Sequence, residues 1–291
     1  MNAVVIAPSP MAFCAIAFAF GLVVGSFLNV VIHRLPRGES IVWPGSRCPA
    51  CRRPIPAHEN IPLVSYLLLR GRCRGCSAHI SLRYPAIELL TGILFAVIAG
   101  EMGPRIGTGL WCAFAATLVA AAAIDAEHRI IPDEISLGGL AAGLVLVPVM
   151  ETLEGFSYFP ALLRSLGGAA LGGGLLWSVG FAHARVSTAL GRVFEHWPGD
   201  DAGYPGPTSL DYWTWFPGLG FGDVKLLAMI GAFVGPAGVV ETLLASSIAG
   251  LALGAGSALV TRRWNSPFGF GPALAAGALL VILVPHPSVL P

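Results

Sequence analysis

Apolar stretches recur along this chain at intervals too regular and lengths too great for a soluble core. About 30 Å of hydrocarbon takes roughly 20 residues of helix to cross. Runs of that order lie at 11–32, 86–103, 107–125, 135–151, 161–182, 223–236, 238–260 and 269–285. A backbone in lipid must satisfy its own hydrogen bonds, so these runs are expected to be helices. The expectation is an all-α polytopic membrane protein with about eight transmembrane helices. Seven is the alternative, because the 223–236 run is short and Gly235-Pro236 would turn it tightly into the next. Composition agrees: charged residues make up 11% of the chain and mean hydropathy is +0.75, against about a quarter charged in a soluble domain. The first run, from Met11 to Ile32, has no basic segment before it and no small-residue cleavage site after it, and reads as a retained helix.

Orientation follows from the basic residues, which favour the cytoplasmic side. Of 17 Lys and Arg, only Lys225 is lysine, and nine arginines lie between His33 and Tyr84, facing only Glu39 and Glu59. The expected organisation is a first helix over 1–32, a cytoplasmic loop domain over 33–85, and a membrane domain over 86–291 interrupted by a long loop at 183–219. Alternation then places Arg129, Arg185, Arg192 and Arg262-Arg263 on the cytoplasmic side as well.

The loop domain carries Cys48-Pro-Ala-Cys51 and Cys73-Arg-Gly-Cys76. Two such knuckles match a four-thiolate tetrahedral site of the zinc-ribbon kind. A pair of disulfides is the other reading, which a reducing cytoplasm disfavours. Four thiolates leave no open coordination position, so the zinc would be structural. Cys14 and Cys112 sit alone in apolar runs and read as small buried hydrophobes.

Catalytic candidates come from asking which ionisable groups lie at membrane depth, where they are costly to hold. Asp125 ends the third run and Asp223 opens the sixth, within Gly220-Phe-Gly222-Asp223-Val-Lys225. The topology puts both at the cytoplasmic interface, where they can meet. Two carboxylates in a desolvated site share a proton and titrate as a pair, which is what aspartyl proteolysis needs. One takes a proton from the attacking water while the other hydrogen-bonds the peptide carbonyl. Gly220 and Gly222 would let backbone or substrate approach closely. Lys225 and Asp133 are supporting residues: Lys225 snorkels or pairs with a carboxylate, and Asp133, after Ile-Pro, reads mainly as a helix N-cap that could assist from nearby. Asp133, Asp200, Asp201 and Asp211 are expected to be dispensable for catalysis. Glu88 and Glu241 read as satisfied packing or substrate-facing polar groups, and Gly168-Ala-Ala-Leu-Gly172 as helix packing through small residues.

Together, Gly-Ser-Phe-Leu-Asn-Val-Val-Ile-His-Arg-Leu-Pro (25–36), the paired knuckles, Arg83-Tyr-Pro-Ala-Ile-Glu88, Ile-Asp125 through Ile-Pro-Asp133, and Gly-Phe-Gly-Asp223-Val-Lys resemble the type IV prepilin peptidases, an intramembrane G-x-G-D aspartyl protease family. The resemblance implies a multi-pass enzyme of the bacterial inner membrane. Such an enzyme cuts prepilin and pseudopilin leaders after a glycine at the cytoplasmic edge, with Asp125 and Asp223 in the catalytic positions. Members with the cysteine loop commonly also methylate the new N-terminus from S-adenosylmethionine, here on resemblance alone. No nucleic-acid partner is implied. The competing class is an ion-coupled transporter with a zinc-stabilised regulatory loop, which would usually show internal repeats. Two departures stand out. The Ala182–Leu219 segment is longer than expected, and reads as a lid, a substrate-contact loop or a solvated insertion. The family's Pro-Phe-Gly-Pro pattern is enlarged to Pro267-Phe-Gly-Phe-Gly-Pro272.

Overall fold

In the computed structural model, residues 9–192, 206–261 and 269–284 are described. Glu195–Tyr204, Arg262-Arg263 and Pro267-Phe268 lie outside them. Among the described residues all regular structure is helical: α1 (Pro10–Arg34), α2 (Val64–Leu68), α3 (Arg83–Met102), α4 (Ile106–His128), α5 (Asp133–Leu153), α6 (Tyr158–Ala189), α7 (Leu210–Thr214), α8 (Phe221–Thr261) and α9 (Gly271–Leu283). Six of these are long and apolar enough to cross a membrane: α1, α3, α4, α5, α6 and α8. Two of the expected runs fall within α8, and α9 is a shorter apolar helix of 13 residues.

The chain divides into two compact units, Met1–Ile124 and Asp125–Pro291, with the boundary inside α4. In the first unit, α1 and α3 run antiparallel and nearly touch. A Cβ at Gly21 would lie 2.8 Å from the Gly92 Cα, and one at Gly25 would lie 2.7 Å from the Glu88 Cα. At that crossing Asn29, buried on α1, donates from Nδ2 to the Tyr84 carbonyl at 3.1 Å. The loop between the two helices is tied to α3 as well, because the Leu63 N–H donates to Glu88 Oε2 at 2.8 Å. Glu88 is therefore satisfied packing, the first of the two expected alternatives.

In the second unit the first arm of α8, residues 221–234, is the centre. Glycines set the distances. Gly139 and Gly143 of α5 face Met229 and Phe233, while Gly168 and Gly172 of α6 face Gly231 and Leu227. The α6 pair thus acts as expected, as small residues that let two backbones approach.

At Gly235 α8 breaks, with φ 74° and ψ 179°. The sequence dictates why. Pro236 has no N–H, so the Ala232 carbonyl loses its helical donor. The buried Ser165 hydroxyl replaces it, donating to the Ala232 oxygen at 2.6 Å. Beside the break Arg164 pairs with Glu151 and packs its stem on Gly235. The second arm then runs back. Gly250 lies against Ala273, and Gly277 against Thr242 and Ser246, so this arm and α9 are antiparallel.

The expected loop at 183–219 is partly helical. α6 continues to Ala189, and the described residues from 206 fold back on it. Trp177 and Phe181 of α6 stack with Trp213 of α7, Arg185 lies 3.9 Å from the Tyr212 ring centroid, and Phe216 buries against Gly180. The extension of α6 is thus held by aromatic residues of the segment that follows it.

Candidate active site

Asp125 lies in the last turn of α4 and Asp223 in the first turn of α8. Both are buried, at 5% and 8% exposure, whereas most other acids among the described residues are exposed. They are close enough for the charge on Asp125 to act directly on Asp223. Each is set by local chain chemistry. Beyond Asp125 the chain leaves its helix at Arg129, whose φ of 57° is unusual for a side chain with a Cβ and whose N–H closes on the Asp125 carbonyl at 2.8 Å. Ahead of Asp223, the Gly220 carbonyl accepts the Asp223 N–H at 3.0 Å.

The glycines permit two close approaches that a side chain would crowd. A Cβ at Gly220 would come within 3.3 Å of Asp223 Oδ2, and one at Gly222 within 3.2 Å of Ile131. Gly222 therefore lets the 129–132 connection lie against the start of α8. Lys225 and Asp133 close the same junction with an ion pair. Lys225 thus pairs with a carboxylate. The N-cap reading of Asp133 is corrected: Pro132 holds the cap position without a side-chain bond, and Asp133, first residue of α5, has its carboxylate on the lysine. Of the acids expected to be dispensable, Asp211 sits in the first turn of α7, and Asp200 and Asp201 lie outside the described residues.

Sequence reasoning missed one element of the site. Gly271, the first residue of α9, donates its N–H to Asp125 Oδ2 at 3.0 Å, and Gly269 packs on the same carboxylate. A helix N-terminus offers free N–H groups to an anion, and two glycines let α9 deliver one. The signal was the enlarged Pro267–Pro272 motif, whose role the sequence left open.

The four knuckle cysteines lie in the first unit. Their sulfurs all fall within 4.8 Å of one another, with Cys48 and Cys76 at 3.8 Å and Cys51 and Cys73 at 4.0 Å. A tetrahedron with Zn–S bonds of about 2.3 Å has edges of ~3.8 Å, so the donor set fits zinc. The two knuckles share a backbone hydrogen-bond pattern. Cys48 N–H donates to the Arg53 carbonyl and Cys73 N–H to that of Ala78. Arg52 and Ser77, each four residues past the first cysteine, both have positive φ. N–H groups of Gly75 and Cys76 pull the Cys73 thiol down to about 6, toward the thiolate a metal requires. Glu59, hydrogen-bonded by Arg53 and Arg74, braces the knuckles.

Comparison with known proteins agrees with this architecture. Residues 19–102 match the model of the bacterial peptidase A24 N-terminal domain, and residues 112–255 that of the type IV leader peptidase family. A protein of Stutzerimonas stutzeri named prepilin leader peptidase/N-methyltransferase is 34% identical, over 96% of this chain and 93% of its own. One of the same name from Aeromonas hydrophila is 36% identical over 94% and 91%. A type 4 prepilin-like proteins leader peptide-processing enzyme of Escherichia coli O78:H11 is 33% identical over 94% of each. The chain belongs to the type IV leader peptidase family. No solved structure matches it.

Proposed function

We propose that this chain is a membrane-embedded aspartyl endopeptidase that removes the leader peptides of type IV prepilins and pseudopilins. It cuts after a glycine at the cytoplasmic face of the bacterial inner membrane and then methylates the new N-terminal residue. The observation that carries the peptidase reading is the pairing of two buried carboxylates, Asp125 and Asp223, at neighbouring helix ends. The pair holds one proton. The ionised member accepts a proton from water as its oxygen attacks the peptide carbonyl, and the protonated member donates to the carbonyl oxygen as charge develops there. Collapse of the tetrahedral intermediate breaks the C–N bond, and the departing amine takes a proton from the pair. Gly271 N–H fixes the orientation of Asp125 throughout.

Counting the α8 break as a turn and α9 as a short span gives eight crossings, which puts the cysteine loop and both aspartates on one side of the membrane. Cys48, Cys51, Cys73 and Cys76 hold a structural zinc. Methyl transfer from S-adenosylmethionine rests on the names of the relatives, two of which are called N-methyltransferases. The transporter alternative has no support in that family membership.

The test is cleavage of a full-length precursor in liposomes. Asp125→Asn and Asp223→Asn should each abolish it while inserting normally and still methylating a precut substrate, since an amide can neither accept the proton from water nor share one. Glutamate at either position should also fail, because one methylene displaces the carboxyl beyond the roughly 0.5 Å that a catalytic constellation tolerates. Substantial cleavage by either asparagine variant refutes the aspartyl pair.

A further inference from the structure

The loop between α1 and α3 exposes apolar side chains that water should not see. Trp43 is 78% exposed, Leu67 72% and Leu68 78%, with Val42 and Val64 beside them. Each group is pinned at the level where a helix leaves the membrane. Arg34, in the last turn of α1, donates to the carbonyls of Ser40 and Gly45 at 3.0 and 3.2 Å and so folds the turn bearing Trp43 onto that helix end. The Leu63 N–H bonds Glu88, which lies five residues into α3, or about 7.5 Å along its axis. A helical side chain leans toward the N-terminus, so that carboxylate sits over the first turn of α3. The short helix α2, which starts at Val64, is thereby drawn down to the same level, and Val64, Leu67 and Leu68 share one of its faces.

The charges around these side chains are mostly positive, the exposed exception being Glu39 in the turn before Trp43. Arg47, Arg52, Arg70 and Arg72 are exposed and, among the described residues, have no carboxylate partner, since Glu59 is taken by Arg53 and Arg74. Arg70 and Arg72 follow α2 directly. An apolar helix face with arginines at its edge, held at the depth of a helix end, has the chemistry of a segment lying in the interface of an anionic leaflet. A tryptophan at the same level suits that boundary.

We infer that the loop is a membrane-surface domain. Trp43 and the Val64-Leu67-Leu68 face of α2 insert at the boundary of headgroup and acyl chain, and the arginines bind anionic lipid phosphates. The knuckles are then carried against the membrane rather than free in the aqueous phase. The inference rests on α1 and α3 being spans, not on the catalytic assignment.

The test places one environment-sensitive bimane at Leu68→Cys, with Cys14 and Cys112 replaced by alanine and the knuckle thiols protected by zinc. The full chain is reconstituted in nanodiscs of phosphatidylcholine with phosphatidylglycerol. Expected are a blue-shifted emission, loss of most of the intensity with lipids brominated near the headgroup end of the chain, and little quenching by aqueous iodide. Arg70→Gln with Arg72→Gln should shift the emission back toward that in water. Emission and iodide quenching as in free solution would overturn the inference. Shielding from iodide without quenching by brominated lipid would also overturn it, by assigning the face to a protein contact. Precursor cleavage measured on the same samples reads the peptidase separately.

Discussion

Gly271→Ala is a sharp probe of the site, because it adds one methyl group and removes no functional atom. Gly271 does not adopt a positive φ, so alanine meets no backbone penalty there, and its N–H remains. The added Cβ would, however, lie 2.7 Å from Asp125 Oδ2, where ordinary contact begins at 3.4 Å. The carboxylate must retreat by about 0.7 Å or α9 must move by as much. Either displacement exceeds the roughly 0.5 Å tolerance of a catalytic group and approaches the 1 Å that costs about 10²-fold. A loss of that size is about 2.7 kcal/mol in the barrier. Expected, then, is a fall in kcat for leader cleavage of ~100-fold, with methylation of a precut substrate unchanged. Gly269→Ala should be worse, since its Cβ would overlap the same carboxylate. The assay is precursor cleavage in liposomes at saturating substrate, with membrane level and thermal unfolding measured alongside. Cleavage within about threefold of wild type by a normally folded Gly271→Ala variant would refute α9 as the support of Asp125.

Ser165→Ala should cost about 1–3 kcal/mol of stability by leaving the Ala232 carbonyl without a donor beside Pro236, measured by unfolding in mixed micelles. Cleavage at low temperature should be slowed rather than abolished. About one zinc per chain is expected by metal analysis, lost on Cys48→Ser or Cys73→Ser with the helices intact by circular dichroism. A metal-free wild type with full activity would overturn the site. The Lys225–Asp133 pair is partly exposed and should add little to stability, ~1 kcal/mol or less, yet it joins the first turn of α8 to the start of α5. Asp133→Asn and Lys225→Met should each slow cleavage about tenfold, or ~1.4 kcal/mol, and Asp133→Lys with Lys225→Asp should recover part of it. Full activity in both single variants would remove the pair from the positioning machinery.

That last expectation departs from the reading of the sequence, in which Asp133 is mainly a helix cap that assists at most from nearby and whose asparagine variant keeps most activity. The departure has a physical cause. A cap is inferred from the helix-forming residues immediately C-terminal to it, whereas the partner of Asp133 is 92 residues away, and local pattern carries no distance information over such a span. Asp125, Asp223 and the cysteines were legible because each is locally anomalous, either a carboxylate in an apolar run or thiols at metal spacing. The break at Gly235 was legible too, because a Gly-Pro pair disrupts a helix wherever it stands. How the break is tolerated was not, since the replacement donor comes from Ser165 on another helix.

Gly269 and Gly271 show the same limit at the site itself. In sequence they look like part of a turn before a hydrophobic run. Only when the second arm of α8 returns and α9 runs antiparallel to it does the start of α9 arrive at Asp125, 146 residues upstream. The active site therefore depends on the α8 break for more than shape. Without the reversal at Gly235 the second arm would carry α9 away from Asp125, and the carboxylate would lose its backbone donor. The Ser165, Arg164 and Glu151 side chains that support the break thus act on catalysis through the chain path. Damage at that far end should appear as slower cleavage with Asp125 and Asp223 both unchanged.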